Sequence, residues 1–198
     1  MLNDRSSILS LLATRRSGRP RDLVAPGPSA AELRAILEIA MRTPDHGKLH
    51  PWRFVHVARK RRAAFATLLQ AAYRVDNPAP GRLEIEAGER FAHQAPELIV
   101  ALSSPTPDHK IPVWEQQLSC GAACMNLVLA AHALGYAAGW VTGWAAYSPA
   151  MLAAFGAPPE RIAGFIFVGT PGAALEDRLR PEPDEVISEW SPPRPESA

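Results

Sequence analysis

The chain predicts an α+β or mixed α/β fold, with roughly four strands enclosed by helices. Three observations point there. Strand-like runs alternate with amphipathic helical stripes. One helical pattern of about 20 residues dominates the middle of the chain. Gly- and Pro-rich punctuation falls between these segments, with 20 prolines in 198 residues.

The elements follow in order. Ile8, Leu9, Leu11, Leu12 and Ala13 form a helical stripe over 6–16, which Gly18 and Pro20 bring to an end. A second helix occupies 29–42. It opens on Ser29 and Glu32, spaced as a capping box, and buries Leu33, Ile36, Leu37 and Ala40. Residues 52–58 alternate and are β-rich, which predicts a strand. Helical patterns resume over 60–74 and 83–94, with the loop 75–81 between them. The run 97–103 is a buried strand. The long helix covers 113–134, and Gly135 stands where a C-cap belongs. It is apolar on most faces, which suits a central helix or one at a subunit contact. A strand is expected over 136–143, a short helix from Ser148-Pro149, and a last strand over 161–171. From 172 the tail is charged and Pro-rich, with Val186, Ile187 and Trp190 as its apolar content.

Composition excludes several classes. Hydrophobic residues make up 47% and charged residues 21%, and the net charge is +1. Nothing there suggests a nucleic-acid footprint or a membrane surface role. No run of about 18 apolar residues occurs, so no transmembrane helix is expected. Arg15 and Arg16 follow the first apolar run instead of preceding it, unlike a signal peptide, which predicts a cytoplasmic protein. The only cysteines, Cys120 and Cys124, lie four apart on the long helix and read as small core residues.

Four stretches carry candidate chemistry. In Thr14–Pro20, Arg15, Arg16 and Arg19 surround Ser17 at a helix end. Guanidinium forks and a hydroxyl suit a phosphate, although arginines there also complement the helix dipole. In Met41–Phe54, Asp45, His46 and His50 invite a metal reading. Zinc needs three or four ligands in suitable geometry, and Gly47 and Pro51 deny these residues a helical frame. The alternatives are a solvated turn or a loop lying against a flat cofactor. Lys110, Trp114 and Glu115 open the long helix, as a first-turn charge with an anchor or as a substrate rim. In Gly139–Trp144, glycines at a strand end let backbone approach a planar ligand. Dinucleotide-fold, P-loop and nucleophile-elbow signatures do not occur.

Taken together, the stretches Thr14–Pro20, Met41–Phe54, Lys110–Gly121, Leu134–Gly143 and Gly164–Pro171 resemble the nitroreductase family of flavoproteins, in the family's order and over nearly the whole chain. Arg42-Thr-Pro-Asp-His46 and Pro112-Val-Trp-Glu-Gln116 resemble its small bacterial YdjA-like subgroup. The resemblance implies a three-layer sandwich whose central mixed sheet of four to five strands has helices on both faces. It implies an FMN-dependent oxidoreductase using NADH or NADPH to reduce a nitroaromatic, quinone or enone-type acceptor. The alternative is a non-catalytic flavin carrier or sensor. It also implies a homodimer, with 1–172 as the FMN-binding domain and 173–198 as an arm exchanged onto the partner.

By motif match, Arg15 holds the flavin phosphate beside Arg16 and Ser17, with Arg180 and Arg178 completing the site. Arg19 lies at the pyrimidine edge, and Arg42 and His46 contact the cofactor. Trp140, Val141, Thr142 and Gly143 line the ring. No metal and no side-chain nucleophile is implied. The chain departs from the wider family at Lys48 and His50, which replace Asn and Gln, so contacts at those two positions do not transfer.

Overall fold

The computed structural model describes residues 1–192. Eight helices are found among them: α1 (Ile8–Thr14), α2 (Ala30–Ala40), α3 (Arg62–Asp76), α4 (Arg82–Ala92), α5 (Val113–Ala133), α6 (Trp144–Tyr147), α7 (Pro149–Leu152) and α8 (Pro183–Val186). The strands are β1 (Leu23–Val24), β2 (Trp52–His56), β3 (Glu97–Ser103), β4 (Ala137–Val141) and β5 (Arg161–Pro171).

β5 is the spine of the sheet. It pairs with β3 through Glu97↔Val168 and with β4 through Ala138↔Val168, so these two strands flank it on opposite edges. β2 adds to β3, and β1 pairs with the far end of β5. Every pairing is antiparallel, where a mixed sheet was expected. The reason is the position of the last strand. The helical crossover through α5 does leave β3 and β4 parallel, but β5 inserts between them and opposes both.

Alternation along the strands builds two cores. Leu98, Val100, Leu102, Phe165 and Phe167 face one side, with Phe65, Leu69 and Ala92 from α3 and α4. Ile99, Ala101, Ile166 and Val168 face the other, with Ile36 of α2 and Ala123, Cys124 and Leu127 of α5. The three layers follow from this period of two. At Ala163-Gly164 the register shifts against Ala101/Leu102, a bulge that puts Gly164 at φ +152°. Trp140 fills the space: a Cβ on Gly164 would lie 2.3 Å from its indole nitrogen.

Local chemistry sets the ends of α2 and α7. The Ser29 hydroxyl accepts from the Glu32 amide at 3.3 Å, and the Glu32 carboxylate accepts from the Ser29 amide at 2.8 Å. Ser148 caps α7 by accepting from Met151. α3 begins on a buried arginine. Arg62 is 2% exposed and donates to the carbonyls of Val57, Ala92 and Pro96, tying the start of α3 to the end of α4 and the entry to β3. Burial pushes its guanidinium down to about 10, which still leaves it charged at neutral pH.

Two expectations about apolar surface change. In α1 only Leu11 is buried, while Ile8 and Leu9 are about 80% and 79% exposed, because nothing in a single chain packs on that stripe. α5 buries one face on the sheet and leaves Trp114 and Leu118 exposed on the other. Cys120 and Cys124 are free and buried, as their small size suggested. The bond from Cys120 and burial push the Cys124 thiol up, so it is no nucleophile at neutral pH.

Candidate flavin site

The helix α1 ends at Thr14, and the chain then runs extended through Arg15 to Arg19 across the start of β4. Two features fix that path. The Gly18 amide donates to the Ala138 carbonyl at 3.1 Å. Gly139 lets the loop lie flush, since a Cβ there would meet the Gly18 carbonyl oxygen at 2.5 Å and Pro20 at 3.1 Å. The close approach that Gly139 permits is therefore to the chain's own loop and not to a planar ligand. Asn3 secures the other side, its side chain accepting from the Arg16 amide at 2.7 Å and donating to the Arg16 carbonyl at 3.2 Å.

Arg15 is thereby held in a crowd of its own sign. Its guanidinium donates to the Ser17 hydroxyl at 3.1 Å. Burial, then the charges of Arg180, Arg16 and Arg178, depress its basicity. Among the described residues no carboxylate pairs with Arg15. A half-buried guanidinium facing three others is costly unless an anion joins it. Two of the four arginines come from the start of the chain and two from the tail, where Arg180 also pairs with Asp177 at 3.6 Å.

The neighbouring cavity, about 410 Å³, is lined by Arg19, Pro20, Arg21, Phe91, Gln94, Val141, Thr142 and Gly143. Gly143 takes φ +80° with nothing within 4 Å of the Cβ position, so its backbone faces open space. Trp140 contributes differently from its three neighbours. Its indole N–H donates to the Ala163 carbonyl at 3.0 Å, and the ring covers Gly164.

Arg19 is not idle. Its guanidinium pairs with the Glu176 carboxylate at 2.8 Å, and the Glu176 carbonyl accepts from Arg16 at 2.6 Å. The tail lies along the basic loop and bounds a smaller cavity of about 120 Å³ with Arg16, Ser17 and Arg19. Sequence reasoning missed Glu176. An acidic residue in a charged tail carries no signal for a partner 157 positions away.

Arg42 and His46 lie elsewhere. The Arg42 carbonyl accepts from Asn126 of α5, and His46 pairs with Glu115 of α5 at 2.8 Å. His46 and Glu115, with Pro44, Leu118, Ser119 and Ala122, line a separate cavity on the outer face of α5. Within one chain they do not join the arginines. Asp45 has a turn role, its two carboxylate oxygens accepting from the Leu49 and His50 amides at 3.0 and 2.9 Å. Among the described residues no cluster of three or more His, Cys, Asp or Glu side chains is placed to hold a metal ion.

His132 was also not foreseen. It is fully buried in the last turn of α5, where its Nε2 accepts from the Ala138 amide at 3.3 Å and its Nδ1 has no partner. Burial, then the charge of Arg15, pushes this imidazole down to about 4.

Known proteins share this arrangement of elements. The Nitroreductase family model matches residues 12–170. A Haemophilus influenzae protein named "Putative NAD(P)H nitroreductase" is 39% identical over 164 residues, covering 82% of this chain and 87% of that protein. The Escherichia coli K12 protein named "Putative NAD(P)H nitroreductase YdjA" is 34% identical over 185 residues, covering 91% of this chain and 97% of its own. A Bacteroides fragilis structure titled as a nitroreductase with bound FMN superposes with a TM-score of 0.69 at 24% identity, over 93% of this chain and 100% of that one. Fold, motif order and family match agree, and the chain belongs to the nitroreductase family.

Proposed function

We propose that the chain is an FMN-dependent NAD(P)H oxidoreductase that reduces a nitroaromatic, quinone or enone-type acceptor. The observation that carries the proposal is Arg15 on the Ser17 hydroxyl, with no carboxylate on it among the described residues and within reach of the charges of Arg180, Arg16 and Arg178. A phosphate monoester satisfies that set, through forked guanidinium bonds and a hydroxyl. The open backbone of Thr142 and Gly143 beside Arg19 fits the planar end of the same molecule. The flavin-bound structure of the Bacteroides fragilis relative and the NAD(P)H in the names of the curated relatives support this choice of cofactor and donor.

When bound, the flavin supplies the two-electron chemistry at its N5 atom, and the protein supplies orientation and electrostatics. Arg15, Arg16, Ser17, Arg178 and Arg180 anchor the phosphate. Arg19 would exchange its exposed pair with Glu176 for the flavin's ring, where its charge would favour the reduced form. Val141, Thr142 and Gly143 present backbone to the ring, while Trp140 keeps the strand end rigid from below.

The working unit would be a homodimer with 1–172 as the flavin domain and 173–198 as the arm; the start of the arm lies on its own chain, where Glu176 meets Arg16 and Arg19, and the rest would reach the partner, residues 193–198 lying outside the described ones. A single chain exposes Ile8, Leu9, Trp114, Leu118, Val186, Ile187 and Trp190, more large apolar surface than a monomer ordinarily shows to water. His46 lines the cavity on the outer face of α5 and the Arg42 carbonyl meets Asn126 of the same helix, so the two would reach a cofactor across the interface and not in their own chain. The test is the absorbance spectrum of the purified protein, followed by anaerobic NADH and NADPH titration. Bleaching of a bound flavin is the expected result; a flavin that binds and is not reduced overturns the oxidoreductase reading.

A further inference from the structure

β4 has β5 on one edge. Its other edge meets the loop that carries Arg15 and the end of α5. In an antiparallel strand the N–H and C=O of one residue point to the same edge. At Ala138 both serve this outer edge, and each has its own partner. The carbonyl accepts from the Gly18 amide at 3.1 Å, and the amide donates to His132 Nε2 at 3.3 Å.

Gly18 has no room to slide along the strand. A Cβ there would lie 2.6 Å from the Leu23 side chain and 3.3 Å from Ala137 of β4. Its carbonyl oxygen fills the space that a Cβ on Gly139 would need. The outer edge of β4 therefore sets where Gly18 lies, and with it Ser17 and Arg15 just before it.

His132 is itself held firmly. It stands in the last turn of α5, and the chain reverses tightly behind it. The Gly135 amide donates to the His132 carbonyl and the Tyr136 amide to the Ala131 carbonyl, each at 3.0 Å, with Gly135 at φ +97°. The imidazole is fully buried, and Nδ1 has no partner. Leucine would serve packing alone. What the ring adds is a single acceptor, placed on the peptide that anchors the loop.

The chemistry of that acceptor matters, because the Arg15 charge reaches the ring. A carboxylate in its place would also accept from Ala138, but it would neutralise Arg15 and repel an incoming phosphate. A neutral imidazole accepts from the amide and leaves Arg15 to the anion.

We propose that His132 is a positioning residue for the flavin phosphate. It fixes the Ala138 peptide and thereby holds the loop where Arg15 and Ser17 meet the phosphate. The inference rests on the flavin reading, and it concerns binding rather than electron transfer.

The experiment compares wild type with His132→Gln, which keeps an acceptor, and with His132→Leu and His132→Met, which fill the space without a comparable one. Amide hydrogen exchange at Gly18 is followed by NMR in the flavin-free proteins. The affinities for FMN and riboflavin are read by flavin fluorescence. The leucine and methionine variants should exchange Gly18 about tenfold faster than wild type. They should bind FMN about tenfold more weakly, the effect of one misplaced charge-assisted bond, with riboflavin within about threefold of wild type. The glutamine variant should stay within about threefold of wild type in both measurements. A merely structural role would instead weaken both flavins alike. Parallel loss of FMN and riboflavin, or unchanged FMN affinity in the leucine or methionine variant, would overturn the positioning role. So would a glutamine variant that loses FMN tenfold; this outcome needs neither apolar variant to fold. Failure of the flavin reading looks different: wild type itself binds no FMN, and the positioning role falls with it.

Discussion

Acidification of the flavin-free protein should expose the buried imidazole of His132. The side chain is wholly inside the fold, and its Nε2 accepts a hydrogen bond from the Ala138 amide, so the folded form holds the neutral ring with the proton on Nδ1. Burial first, and the nearby Arg15 charge second, lower its folded pKa from 6.5 to about 4. In the unfolded chain the ring takes its proton near its ordinary value, so lowering the pH favours unfolding. The contribution of His132 is complete above about pH 6.5 and drains away as the pH falls toward 4. A shift of that size corresponds to about 3 kcal/mol by pH 4, and about 2 kcal/mol by pH 4.5. Urea unfolding at pH 7 and pH 4.5 measures it, with His132→Gln as the reference. Glutamine can still accept from the Ala138 amide and does not titrate. Wild type is expected to lose about 2 kcal/mol more than the variant over this interval. Equal losses would refute the assignment of a neutral buried ring beside Arg15.

Other outcomes follow from the same contacts. Arg15→Ala should weaken FMN binding about 10- to 100-fold, the range for a lost charge-assisted bond, as read by quenching of flavin fluorescence. The melting temperature of the flavin-free variant should not fall, because the substitution removes one of four crowded like charges. Glu176→Gln frees Arg19 from an exposed pair and should tighten FMN modestly, by about threefold; weaker binding would show that the tail carboxylate helps the site. Arg62→Met leaves three carbonyls without their donor and should cost about 2–4 kcal/mol in urea unfolding, with no change in FMN affinity for the protein that remains folded.

The sequence carried what is local. Ser29 and Glu32 sit three apart, and the reciprocal cap they form needs nothing from the rest of the chain. The run Glu97–Ser103 is apolar on both faces because both faces are covered, and its bounds were readable for that reason. Arginines at a helix end beside Ser17 suggested either an anion site or a complement to the helix dipole, and the tail arginines entered through the family resemblance. What depends on distant partners was hidden. β1 exists only because Leu23 and Val24 meet Pro171 and Thr170. Arg62 reads as one more member of the basic run from Arg59, yet three distant carbonyls bury it. Pairing direction was misjudged for a similar reason: a helical crossover shows how β3 relates to β4 but not that β5 comes between them. The Arg19–Glu176 pair also joins remote segments, and no periodicity marks it.

The central claim is that clustered arginines from both ends of the chain bind the phosphate of a flavin. Its most direct test is a fluorescence titration of FMN into flavin-free protein, run in parallel with riboflavin, which lacks the phosphate. The account predicts saturable quenching at one FMN per chain, with riboflavin bound at least about 100-fold more weakly, as the loss of several charge-assisted bonds requires. No quenching by FMN, or equal affinity for the two flavins, would contradict it.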